Sequence, residues 1–354
     1  MTTSLPKTTA GAEAPVSPPK QSESRLGQLW HRPEAGALIG TLSVFVFFAI
    51  FGGEKFLAAA GASSWLNIGA ELGIIAIPVG LLMIAGELDV SVGSVLAASS
   101  MTLAIVSGHW GAPMIVGIVL ALALGLLVGL INGIIVTRSN VPSLVVTLAT
   151  LFGLSGLTLG LSRVTTGTTS VALKPDPLSK SLFGQLIAGQ FEVAIFWWIG
   201  VAVVVTVMLQ MMKYGNWIFA IGGDAESARA TGIPVAKVKI SLYMASGFCA
   251  ALVGVIQTIL YNGAQVANGQ SFVFNSIIAV VIGGVLLTGG YGSVVGIVLG
   301  TLTFAIVNQG IYFTGWNSDW AALILGVLIL AAVLMNNTFR RLALSYKPRT
   351  AKKA

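Results

Sequence analysis

GELDVSVGSV, residues 86–95, sets two carboxylates, Glu87 and Asp89, between two apolar stretches. IGAELGIIAIPVGLLMIA (68–85) precedes it and LAASSMTLAIV (96–106) follows. Runs near the ~20 residues that cross a ~30 Å hydrocarbon layer recur along the chain. Of 354 residues, 55% are hydrophobic and only 9% charged, with a mean hydropathy of +0.91. A soluble domain carries about 25% charged residues, so this composition cannot coat a water-facing surface. The apolar blocks are also too long for the alternating ~10-residue strands of a membrane barrel. The chain reads as an all-α, polytopic membrane protein.

Ten spans are expected, at about 35–53, 68–86, 92–108, 113–136, 143–162, 193–212, 239–260, 272–288, 293–314 and 320–336. With the N-terminus in the cytoplasm, ten crossings return the C-terminus there. All but four of the 19 basic residues then lie inside, the exceptions being Lys55, Arg163, Lys174 and Lys180. That asymmetry matches the positive-inside bias and makes the +7 net charge a mark of topology rather than of nucleic-acid binding. Residues 1–30 are too rich in Ser, Thr and Pro to fold and are expected to form a cytoplasmic tail without the apolar core of a signal peptide. Residues 31–340 form the membrane domain, and 341–354 a basic cytoplasmic tail. Spans two to five and seven to ten would make two four-helix groups of inverted topology. Small-residue patterns such as GLLVG (125–129) and GSVVGIVLG (292–300) suit close helix packing.

Within the opening stretch, Asp89, Ser91 and Ser94 stand where the third span begins. There a short polar side chain accepts from the first free N–H groups and meets the positive end of the helix dipole. Gly86 and Gly93 allow either a sharp surface turn or a broken helix dipping into the membrane, and the residues leave both open. Capping and shaping are the first role of Glu87 and Asp89, contact with a transported solute the second. Glu71 lies about one turn inside the second span near its outer end, where an interfacial or cavity-facing carboxylate is inexpensive.

Several chemistries lack their residues. No GxxxxGK[ST] loop is present to cradle ATP phosphates, and no HExxH, Ser/His/Asp set or cysteine pair exists. Cys249 is the only cysteine, and His31 and His109 are isolated, so no cofactor or metal is expected in this chain. The longest inside loop, 213–239, offers Asp224 as an N-cap, AESARAT as helix formers, Gly232 as a stop and Pro234 as a breaker. A helix of about seven residues is unstable alone, so either its own bundle or a docked partner must hold it.

Taken together, several motifs resemble the permeases of bacterial ABC sugar importers of the ribose, xylose, arabinose and galactose type. They are GELDVSVGSV, with Leu88 and Val90 as mild variants, NVPSLVVTLATLFGLSGL (140–157), AIGGDAESARATGIPVAKVKISLYMASGFCAALVG (220–254) and IIAVVIGGVLLTGGYGSVVGIVLGTL (277–302). They fall in order across about 35–340, with Asp224 where Asn is usual. The resemblance implies a cobalamin-importer-like (type II) permease in the inner membrane that works as a homodimer. A cytoplasmic ABC ATPase carrying ATP and Mg would sit beneath it and a periplasmic sugar-binding protein above. It further implies that residues 224–232 couple to the ATPase, with Asp224, Glu226, Ala228, Arg229 and Gly232 as the coupling residues. In that frame Glu87, Asp89, Ser91, Asn132, Asn275 and Asn308 are candidates for the helix break or the translocation path. The cargo would be a monosaccharide or small polyol, with autoinducer-2, a branched-chain amino acid or a secondary carrier as alternatives.

Overall fold

A computed structural model describes residues 34–317 and scattered positions from 320 to 334. The first helix, α1 (Glu34–Leu57), is bent at Gly53, whose φ of 58° breaks the helical path. After α1 come α2 (Ala59–Ile84), α3 (Val92–Leu103, continued by a π-helical turn, Ala104–His109), α4 (Met114–Arg138) and α5 (Ser143–Thr166). The loop that follows contains strand β1 (Ser170–Ala172), the short α6 (Pro177–Phe183) and the hairpin strands β2 (Leu186–Ile187) and β3 (Phe191–Glu192). Then follow α7 (Ala194–Met211), α8 (Lys213–Gly223), α9 (Ala225–Ala230) and α10 (Val235–Leu260). Strand β4 (Gly263–Gln265) pairs antiparallel with β1 and leads to α11 (Gln270–Ile282) and α12 (Val294–Gly310).

Eight of these helices are long and apolar enough to cross a membrane. The span expected at 272–288 is instead the 13-residue α11. The expectation overran because the apolar residues Val285, Leu286 and Leu287 continue the hydropathy signal past Gly283, where the helix stops. The span expected at 320–336 lies largely outside the described residues, as do both tails and His31. At the other extreme α2 begins nine residues before the expected 68. In its first turns the Ser63 and Ser64 hydroxyls donate back to the Ala60 and Gly61 carbonyls. Trp65 adds aromatic packing there, stacking on Phe56 of α1 at 6.3 Å.

Two helices make the core. Of the most apolar stretch of α2, 89% is buried, and of α10, 83%; α5 and α7, at 17% each, face outward to lipid or to other chains. The α4–α10 crossing is tight because no side chains intervene. A Cβ placed on Gly247 would lie 2.1 Å from the Gly125 carbonyl oxygen, and one on Gly129 would lie 2.3 Å from that of Tyr243. Lipid supplies no hydrophobic drive between helices, so such backbone-to-backbone packing is what binds them.

Candidate functional site

Residues 85–91 are a non-helical linker in which Ala85, Asp89, Val90 and Ser91 are buried, Glu87 and Leu88 half-buried and Gly86 exposed. A non-helical segment there must find partners for its amides away from water. Helix α5 provides them at its start: the Leu88 N–H donates to Ser143 Oγ at 3.2 Å and the Val90 N–H to Thr147 Oγ1 at 3.3 Å. From α10, the Tyr243 hydroxyl donates to the Leu88 carbonyl at 3.2 Å. Lys239 of α10 forms a short ion pair with Glu87, both side chains largely covered.

Asp89 is 1% exposed and accepts three hydrogen bonds. The Ser91 N–H and hydroxyl reach Oδ1 at 2.9 and 2.6 Å, and the Ser246 hydroxyl reaches Oδ2 at 2.7 Å. The expected capping role changes accordingly. Ser91, not Asp89, occupies the position before α3, and Asp89 orders the linker two residues upstream instead of the first helical turn. From Ser91 the chain of bonds continues: Asn132 Nδ2 donates to Ser91 Oγ at 3.0 Å, and the Thr150 hydroxyl to Asn132 Oδ1 at 2.6 Å. One buried network thus ties the linker to α4, α5 and α10.

Reading the sequence missed Ser143, Thr147, Thr150, Tyr243 and Ser246, because a lone hydroxyl in an apolar helix looks like ordinary small-residue packing. The signal available was the buried acid itself, which demands donors from the helices around it.

The other polar candidates do not join this network. Asn308 on α12 accepts from its neighbour Gln309 at 2.9 Å, and Asn275 lies half-buried on α11. Glu71 does not face a cavity: it is 6% exposed in the middle of α2, because that helix begins nine residues earlier than expected. Its Oε2 accepts from Gln257 Nε2 at 2.8 Å, near the C-terminal end of α10, while Oε1 has no partner. One turn before it, the Asn67 side chain clamps the β2–β3 hairpin, donating to the Gln190 carbonyl at 2.9 Å and accepting from the Glu192 N–H at 3.0 Å. Burial pushes the Glu192 carboxyl up to about 7.

At the opposite end, α9 is closed at both termini. Asp224 Oδ1 accepts from the Glu226 and Ser227 N–H groups at 2.9 and 3.3 Å, and the Ser227 hydroxyl reaches Oδ2 at 2.9 Å. Bonds from the Ser227 hydroxyl and from those amides hold this exposed carboxyl below the usual carboxylate range. Gly232, at φ +87°, then closes the helix. Its N–H bonds the Arg229 carbonyl and the Ile233 N–H bonds the Ala228 carbonyl, the paired closure that a left-handed residue permits. Ala228 is 4% exposed and seats α9 on its own bundle, so among the expected coupling residues it is not free to touch a partner. Glu226, Ser227, Arg229 and Ala230 face outward.

Glycines join the end of α8 to the linkers. The Gly290 N–H donates to the Ile84 carbonyl at 2.8 Å. A Cβ on Gly222 would lie 1.7 Å from that same oxygen, and one on Gly289 would lie 2.8 Å from the Gly222 oxygen and 3.0 Å from Gly86 Cα. Backbones from the end of α2, the end of α8 and the α11–α12 loop therefore touch directly.

The family described as "Branched-chain amino acid transport system / permease component" matches residues 61–333. The chain belongs to this permease family. A probable ABC transporter permease protein, y4mJ of Sinorhizobium fredii, is 35% identical to this permease over 78% of the chain and 82% of its own length. The fructose import permease protein FrcC of Rhizobium meliloti is 30% identical over 88% and 87%. The ribose import permease protein RbsC of Escherichia coli is 32% identical over 75% and 81%. No solved structure matches significantly. The permease is thus a multi-pass inner-membrane transport subunit of an ABC importer, not an enzyme.

Proposed function

We propose that this permease carries a monosaccharide or small polyol inward by alternating access, driven by a separate cytoplasmic ABC ATPase that binds ATP and Mg. A second copy of the chain and a periplasmic sugar-binding protein complete the assembly, and both termini lie in the cytoplasm. The observation that carries this reading is α9: a helix of six residues, capped at both ends, with Glu226, Ser227, Arg229 and Ala230 uncovered. A helix so short persists only when held, and its own bundle holds one face while the other stands clear for a partner. Curated relatives named for ribose and fructose import, each at least 30% identical over three quarters of the chain or more, support the cargo. The absence of a phosphate-cradling GxxxxGK[ST] loop supports a separate ATPase.

The test is Arg229→Glu in the assembled importer. Because Arg229 is exposed, insertion and melting should match wild type while uptake falls by about tenfold or more, the size of a lost interfacial anchor. Uptake at the wild-type rate refutes the docking role. A branched-chain amino acid cargo is the second reading, favoured by the wording of the family description. Uptake of labelled ribose, fructose, xylose and leucine by whole cells separates the two.

A further inference from the structure

Helix α10 ends at Leu260, and α11 does not begin until Gln270. The segment between them turns back into the bundle. A Cβ on Gly269 would lie 2.4 Å from the Gly93 carbonyl oxygen and 3.2 Å from Leu96 Cβ, so α11 starts against the start of α3. Level with that contact is Gly254: its added Cβ would lie 2.6 Å from the Leu96 oxygen, and its carbonyl accepts from the Ser100 hydroxyl at 3.0 Å. Gly254 precedes the end of α10 by six residues, so α11 begins about 9 Å or more below that end, at 1.5 Å per residue.

At this depth Gln270, Ser271 and Phe274 are exposed, Phe274 by 68%, and Asn275 is half-buried beside them. Ser271, Phe274 and Asn275 share one helix face by their spacing of three and four. Among the described residues, the side chains of Gln270, Ser271 and Asn275 make no hydrogen bond. Irregular backbone and uncovered polar groups inside a membrane persist against protein or water, not lipid. No residue between Lys239 and Asp319 carries a formal charge. The strip therefore offers amides and a hydroxyl, each both donor and acceptor, next to an aromatic ring. Hydroxyl-rich solutes exchange bonds with such groups in both directions. A zwitterionic amino acid would surrender the hydration of two charges with no counter-charge on the strip to compensate.

We infer that Gln270, Ser271, Phe274 and Asn275 form a water-facing contact strip for a neutral, polyhydroxylated solute crossing the bundle. This deepens the import reading above and rests on it. The experiment places cysteines at 270, 271 and, as an outward-facing control on an apolar helix, at Val204 of α7, which is 67% exposed, in a Cys249→Ser background. A membrane-impermeant thiol reagent should modify 270 and 271 in the assembled importer at least about tenfold faster than 204, since thiols react as thiolates and need water. Ribose, fructose or xylose should slow that reaction and leucine should not. Gln270→Leu and Asn275→Leu should each raise KM about fivefold, the size of one hydrogen bond, at unchanged membrane abundance, with Gln270→Asn and Asn275→Gln recovering part of it. Labelling no faster than at 204, or unchanged KM in both leucine variants while sugar uptake persists, overturns the strip and leaves the import reading standing. Uptake of leucine alone overturns the import reading, and with it the ligand class assigned here.

Discussion

Replacing Asp89 with alanine should loosen the 85–91 linker from α4, α5 and α10. Three donors lose their acceptor: the Ser91 amide, the Ser91 hydroxyl and the Ser246 hydroxyl. Ser246 sits on a helix and can turn to the carbonyl one turn before it, as serines on helices do. The Ser91 amide has no such freedom. A buried donor left unpaired costs about 1–3 kcal/mol and each lost hydroxyl bond about 1 kcal/mol, partly offset because a desolvated carboxyl disappears. The net loss is about 2–4 kcal/mol, a melting temperature lower by roughly 4–8 °C at about 2 °C per kcal/mol. Asp89→Asn keeps Oδ1 for Ser91 and turns an NH2 toward Ser246, whose hydroxyl can accept instead of donate, so it should fall within about 1 kcal/mol of wild type. The chain contains its own reporter: Cys249, its only cysteine, is 7% exposed, so a thiol-reactive dye in detergent reads unfolding on heating. The expected order is wild type, then Asn slightly below, then Ala well below. An alanine variant that melts with wild type would falsify the network, and an Asn variant as weak as Ala would assign the effect to charge rather than geometry.

Three further outcomes follow from other contacts. Gly247→Val should abolish the folded protein, its side chain meeting the Gly125 carbonyl, whereas Gly200→Ala on α7, with open space around it, should raise stability by about 0.5–1 kcal/mol; dye-monitored melting of both decides. Removing either member of the Glu87–Lys239 pair should cost about 2 kcal/mol, more than an exposed pair, and the reversed pair Glu87→Lys with Lys239→Glu should regain part of it in a double-mutant cycle. Burial raises the Glu192 carboxyl to about 7, so between pH 4.5 and 7 the folded chain holds more protons than the unfolded one. Stability from this group is therefore present below that window and lost as pH rises through it. Tryptophan-fluorescence melts should fall across the window in wild type and run flatter in Glu192→Gln.

Much of the architecture was legible because it rests on composition and local rules. The capping pair Asp224 and Gly232 and most of the long spans follow from single-residue properties. The linker at 85–91 was not legible to the same depth. Its geometry depends on Ser143, Thr147 and Tyr243, which lie more than 50 residues away and look unremarkable where they stand. Helix α11 misled for a different reason. A hydropathy window averages the helix and the apolar loop behind it into one signal, so a 13-residue helix followed by an apolar loop and a full crossing give the same trace. Ala228 shows the limit of a motif: spacing located α9, but only packing shows which of its faces the bundle already covers.

The glycine contacts beneath the bundle carry a mechanical consequence. A joint made of long side chains absorbs the first ångström of any push by changing rotamers, as a worn gear takes up backlash. At Gly222, Gly289 and Gly86 there is no rotamer to change. A displacement of α8 at Gly222 is handed on at full amplitude, backbone to backbone, to the end of α2 and to the α11–α12 loop at once.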